Sequence, residues 1–105
     1  MSDRFTLERR TGEQPRVSGR IDVGNAAQAL AAGEPLAAAS GRLEINLEDL
    51  QSADSITLAV LLAWSARARR NGVELVYRDA SPRLRSIAHL SDAEDLLGIE
   101  SRDAA

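Results

Sequence analysis

With 105 residues, one histidine and no cysteine, the chain has the size of a single domain and cannot form a disulfide, a thiol nucleophile or a thiolate metal site. Its 44% hydrophobic content is that of a folded globular protein, and its aromatics are only Phe5, Trp64 and Tyr77, so the core must be built from Leu, Ile, Val and Ala. A formal net charge of −3, with arginine as the only basic residue type besides His89, lacks the basic footprint that phosphate backbones demand and excludes nucleic acid as the main partner.

In chain order, "RFTLERR" alternates Phe5 and Leu7 with charge and predicts a short strand. The turn-rich "TGEQP" and the strand-like "RVSGRID", carrying Val17 and Ile21, complete an antiparallel hairpin. "NAAQALAAG" predicts a first helix with Asn25 as N-cap and Gly33 as stop, in which Leu30 is the one bulky residue among alanines. "RLEINLEDL" alternates Leu43, Ile45 and Leu47, a third strand expected to end near Leu47, followed by the acidic loop "EDLQSAD". "SITLAVLLAWSARARRNG" is a helix of about four turns, closed by Asn71-Gly72 with Arg67, Arg69 and Arg70 near its end, where they complement the helix dipole. "VELVYRD" is a fourth strand. "SPRLRSIAHL" opens a helix with Ser81 at the N-cap and Pro82 at the first helical position. "SDAEDLLG" spaces Ser91 and Glu94 as a capping box with Gly98 as stop, and "SRDAA", residues 101–105, reads as a frayed tail.

The order β-β-α-β-α-β-α-α predicts an α/β fold in one domain spanning 1–105, with its core over about residues 5–98. The second, third and fourth strands are expected to lie parallel and in chain order, with both crossover helices on one sheet face. "MSDRFTLERR" carries no apolar signal core, and no apolar run approaches the roughly 20 residues needed to span a bilayer. A soluble, cytoplasmic protein is therefore expected, without direct membrane insertion.

The informative stretch is "SADSITLAVLLAW". Between Ile56 and Trp64 only Thr57 is polar, an apolar surface wider than one sheet face needs. Asp54-Ser55 precedes it and admits four readings: a helix cap, a phosphorylation point, a catalytic fragment or a docking point. Catalysis is unsupported, because serine chemistry needs a base within hydrogen-bond reach and His89, the lone histidine, reads as a residue near a helix end. No catalytic, metal or cofactor residue is expected. The acidic pairs and the arginines of the long helix read as solvated loops and a helix end.

"RLEINLEDLQSADSITLAVLLAWSARARRNGVELVYRDA" resembles the centre of a STAS domain, and the resemblance runs from about Phe5 to Gly98. Asn46-Leu47 matches the strand end of that family's pattern, Asp54-Ser55 its switch pair, and Leu58 the first core leucine of its helix; "RVSGRID" matches its second strand. The resemblance implies a small mixed sheet with helices mainly on one face, and an interaction module without enzymatic activity. Where antagonists of anti-sigma factors place a second hydroxyl residue and glycines, this chain has Ile56, Thr57 and Ala59. "DSITLAVLLAW" is more similar to the MlaB-type STAS subunit of a phospholipid ABC transporter that maintains outer-membrane lipid asymmetry. That branch implies a cytoplasmic subunit docked on an MlaF-like ATPase, peripheral to the inner membrane through its partner. Asp54, Ser55, Ile56, Thr57 and Leu30 are then the expected partner-binding residues. The alternative is an anti-sigma-factor antagonist switched by phosphorylation of Ser55.

Overall fold

A computed structural model of the chain describes residues 4–9, 14–38 and 41–97. The hairpin strands are β1 (Thr6–Glu8) and β2 (Arg16–Gly19), followed by α1 (Ala26–Ala32) and a 3-10 segment over Glu34–Ala38. Then come β3 (Gly41–Leu50), α2 (Ser55–Arg70), β4 (Val73–Arg78), α3 (Pro82–Leu90) and α4 (Glu94–Leu97). The sheet order is β1-β2-β3-β4, antiparallel for the first pair and parallel for the other two. Neighbouring strands in chain order, joined by helical crossovers of the usual hand, put α1 and α2 on the same side. The expected mixed α/β sheet is therefore the observed one.

Strand alternation divides the sheet. Val17, Ile45, Leu47, Leu75 and Tyr77 point inward and are essentially buried, meeting Leu58, Leu61, Trp64 and Ala68 of α2. Trp64 locks α1 to this core: its indole N–H donates to the Ala29 carbonyl at 3.0 Å, and its ring lies 6.2 Å from that of Phe5. Gly33 ends α1 because of the same ring. A Cβ there would fall 2.2 Å from Trp64 Nε1, so only a residue without a side chain can pass.

Three local expectations are corrected. β3 continues past Leu47 to Leu50, because its register against β2 shifts from Arg16↔Asn46 to Ser18↔Asp49. That bulge breaks the period of two, so Leu47 and Leu50 both face inward at a spacing of three. Asn25 holds the N-cap position of α1 without capping it by its side chain. With φ −122° and ψ 8° it is not extended, and its amide instead accepts from Asp22 N at 2.9 Å and donates to the Arg20 carbonyl at 2.9 Å. The Ser91/Glu94 capping box does not form: Ser91 is the C-cap of α3, and Glu94 turns back to His89. Ser81 and Pro82 do open α3 as expected, the serine oxygen accepting from Leu84 N at 3.1 Å. The Gly98 stop, the 101–105 tail and the middle of the hairpin turn lie outside the described residues.

Candidate functional site

The N-terminal end of α2 is built by two different polar devices. Asp54 is extended, with φ −135° and ψ −175°, and its Oδ1 accepts from the Thr57 amide at 2.9 Å. Its carbonyl accepts the first helical bond, from Leu58 N at 3.0 Å. Asp54 is thus the cap, and a carboxylate there also complements the positive end of the helix dipole. Ser55 is left exposed at the first helical position, with no hydrogen-bond partner for its hydroxyl among the described residues.

Thr57 corrects the expectation of an exposed contact. It is 0% exposed, and its hydroxyl lies 2.7 Å from Ser52 Oγ and 3.4 Å from the Ile21 carbonyl. Ser52 Oγ in turn accepts from Ile21 N at 2.9 Å. These bonds pin the exit of β2, the β3–α2 loop and the first turn of α2 to one another. A buried hydroxyl must be paired to avoid a desolvation cost, and this one is paired internally, so it is not a docking contact. At 100° per residue, Thr57 falls on the face of Leu61, Trp64 and Ala68, and that spacing is the sequence signal that could have placed it inside.

The outward face of α2 has the opposite character. Ser55, Ala59, Ala63 and Ala66 are exposed, and Leu62 is half-buried between them. From Ile56 to Ala66 the only polar side chains are Thr57 and Ser65, and both are buried. Ser65 Oγ donates to the Tyr77 hydroxyl at 3.4 Å, and Tyr77 donates to the Leu61 carbonyl at 2.8 Å. Burial pushes the Tyr77 hydroxyl well above its ordinary range, so it stays a neutral donor. From Ile56 to Ala66 the helix therefore keeps its hydroxyls on the inside and shows hydrocarbon to solvent, the reverse of a surface helix.

Of the other expected contacts, Ile56 is half-buried and packs against the core. Leu30 is 37% exposed on α1, while Val23, just before that helix, is 79% exposed. Sequence reasoning missed Ala59, Leu62, Ala63 and Ala66, because hydrophobicity is uniform from Leu58 to Trp64 and only the spacing of Leu61 and Trp64 from Thr57 separates the two arcs. Charge brackets the face. Asp54, exposed, stands at one end. At the other end Arg69 and Arg70 are exposed and make no ion pair among the described residues, whereas Arg67 pairs with Glu34 at 3.2 Å.

Nothing in this geometry supports catalysis by Ser55. His89 lies in the last turn of α3 with its Nδ1 2.9 Å from Glu94 Oε1, and that carboxylate, aided by Asp92, raises its pKa. Among the described residues no group of three or more His, Asp or Glu is placed to hold a metal ion. None of their helices is long and apolar enough to cross a membrane. Two open grooves of about 590 and 640 Å³ lie elsewhere, one beside Thr6, Ser18 and Asp49 and one beside Ser86, His89 and Leu90.

Comparison with known proteins places this architecture. The family profile described as "Mlab, STAS domain" matches residues 7–98. No curated protein matches the chain. Among solved structures, an anti-sigma factor antagonist from Mycobacterium paratuberculosis is similar, with a TM-score of 0.69 and 25% identity over 98% of this chain and 92% of that one. The anti-sigma factor antagonist SpoIIAA in its unphosphorylated form superposes with a TM-score of 0.65 at 19% identity, covering 95% and 90% of the two chains, a likeness of fold.

Proposed function

The chain belongs to the STAS domain family in its MlaB form, and from that footing we propose that it is a docking subunit of a phospholipid-transporting ABC system. STAS domains of this fold are in general non-catalytic regulatory or interaction modules. In this reading the chain binds the cytoplasmic, MlaF-like ATPase, supports its assembly or activity in outer-membrane lipid asymmetry, and reaches the inner membrane only through that partner. ATP is the partner's ligand.

The observation that carries the reading is the outward face of α2, which offers Ser55, Ala59, Leu62, Ala63 and Ala66 and no outward polar side chain between Ser55 and Arg67. Three alanines let a partner approach close to the helix backbone, toward the short end of the roughly 8–10 Å spacing of packed helices. In this reading Ser55 supplies a rim hydroxyl, Ile56 follows it in the first turn, and Leu30, 37% exposed on α1, is a further contact. The buried Thr57 contributes by fixing the helix end that carries it.

Co-purification with the ATPase subunit tests the proposal. Ala63→Glu puts a charge at the centre of the face and is expected to weaken binding at least about tenfold. Ser55→Arg acts at its edge. Undiminished binding of both variants overturns the docking face.

A second reading has its own observation. Ser55 is exposed at the first position of a helix, where a phosphate is electrostatically tolerated, and two of the similar solved structures are anti-sigma factor antagonists. Intact-mass measurement after incubation with candidate kinases distinguishes it. A phosphate absent from Ser55→Ala supports a switch; an unmodified wild-type chain counts against one.

A further inference from the structure

The outward face of α2 is complementary to itself. Read along the helix, its exposed residues are Ser55, Ala59, Ala63, Ala66 and Arg70, with Leu62 half-buried among them. The sequence positions are symmetric about the point between Leu62 and Ala63: Ser55 and Arg70 are equidistant from it, and so are Ala59 and Ala66. An identical helix laid antiparallel on this one therefore sets Ala59 over Ala66, and Ser55 over Arg70, twice. The ends match in charge as well. The exposed Asp54 lies at the N-terminal end, while Arg69 and Arg70, with no ion pair among the described residues, lie at the C-terminal end. An antiparallel copy brings each acidic end against a basic end, and a parallel copy opposes like charges.

We infer that the occupant of this face, in the absence of another partner, is a second copy of the chain, with α2 packed antiparallel on α2 about a two-fold axis near Leu62 and Ala63. A two-fold contact of this kind is isologous, so one patch serves both subunits. Alanines at Ala59, Ala63 and Ala66 permit close helix packing, and Leu62 from each copy fills the centre. A lipid surface fits the charges less well, because anionic headgroups are attracted by basic flanks and one flank here is acidic.

The contact is one helix wide, less than the roughly 1,200 Å² that stable complexes bury. It is therefore weak and reversible, and it covers the residues proposed to meet the ATPase. Self-association and ATPase docking exclude each other, so the dimer keeps an otherwise bare apolar face dry until a tighter partner displaces one copy. The inference does not depend on that partner's identity.

The absence of native cysteine makes the register directly testable. Sedimentation of the full chain between about 10 µM and 1 mM is expected to show a weight-average mass rising toward twice the chain mass. Arg69→Glu/Arg70→Glu, with unchanged circular dichroism, is expected to weaken that association at least about tenfold. Under mild oxidation, Ala59→Cys mixed with Ala66→Cys is expected to form a disulfide-linked dimer at least about tenfold faster than either variant alone or than Ser86→Cys on α3. A monomer throughout the range overturns the inference. So does faster pairing of Ala59→Cys with itself, which reports a parallel contact, or equal rates for all variants, which reports a dimer through another surface.

Discussion

On the strand side of this domain Glu44 gathers Gln14 at 3.1 Å, Arg78 at 3.0 Å and Arg42 at 3.6 Å, and Arg16 reaches Asp49 at 2.8 Å. On the helix side α2 turns Ala59, Leu62, Ala63 and Ala66 toward solvent and hides Thr57 and Ser65. The two surfaces flank one core and follow opposite rules. Strand side chains that face water are polar, with Glu44 and Arg16 at the centre of their pairing, and the apolar Val76 among them is itself only 3% exposed. That face is finished. The helix face lacks the polar groups that would finish it, which is what a surface reserved for protein contact requires. Both observations concern the same structural layer pair, so the difference cannot be a general feature of composition.

Five outcomes break or sharpen this contrast, in order of expected size. Trp64→Ala removes the inward anchor of α2 and is expected to cost about 3–5 kcal/mol by urea denaturation. A loss below about 1 kcal/mol would mean that the inner face does not hold the helix. Thr57→Val keeps the shape but removes a buried hydroxyl from Ser52 and Ile21, and should cost about 1–3 kcal/mol, against almost nothing for Ser55→Ala on the outside. Equal effects in thermal melts would erase the inside–outside distinction.

Glu44→Gln probes the strand face and is expected to cost less than Thr57→Val. Arg78 holds the Glu44 carboxyl below its ordinary pKa. Its contribution is therefore present above the unfolded carboxylate value and lost as pH falls through the lower folded one, so the variant should show a flatter acid limb. His89 has the opposite sign. Glu94 raises its pKa, so its contribution is full below the ordinary imidazole value of about 6.5 and disappears as pH rises through the raised folded value. Melts of Glu94→Gln should match wild type at pH about 8 and fall slightly below it at pH about 5.5. The smallest change belongs to Ala63→Glu, which should leave the stability of the dilute chain within about 0.5 kcal/mol while abolishing contacts through the face. A large stability loss would show that Ala63 is part of the core.

The order of elements, the antiparallel hairpin and the parallel sheet were legible, because period-two strands and capped apolar helices alternate along the chain. The end of β3 was not: the Leu43–Ile45–Leu47 alternation stops where a bulge begins, and a bulge is specified by the partner strand. The 3-10 segment over Glu34–Ala38 has no period to announce it, only Gly33 beneath Trp64 and Pro35 after it. At the site, the capping role of Asp54 and the exposure of Ser55 follow from local rules. Thr57 was read through the family motif as a surface position, although its spacing to Leu61 and Trp64 already marked it as inward. The same spacing leaves Ala59, Ala63, Ala66 and Arg70 on the opposite arc, a signal of side-chain size that hydrophobicity alone does not carry.

The junction of Ile21, Ser52 and Thr57 bears on the timing of assembly. It joins Ile21 to Ser52 and Thr57, 31 and 36 residues away, through two hydroxyls that also lie 2.7 Å from each other across five residues. Contacts of such sequence separation are won late, after the entropy of closing the intervening chain has been spent. The first turn of α2 carries its own local cap in Asp54, but it is tied to the end of β2 only in the finished molecule. The junction therefore couples the placement of that turn to the pairing of the strands beneath it.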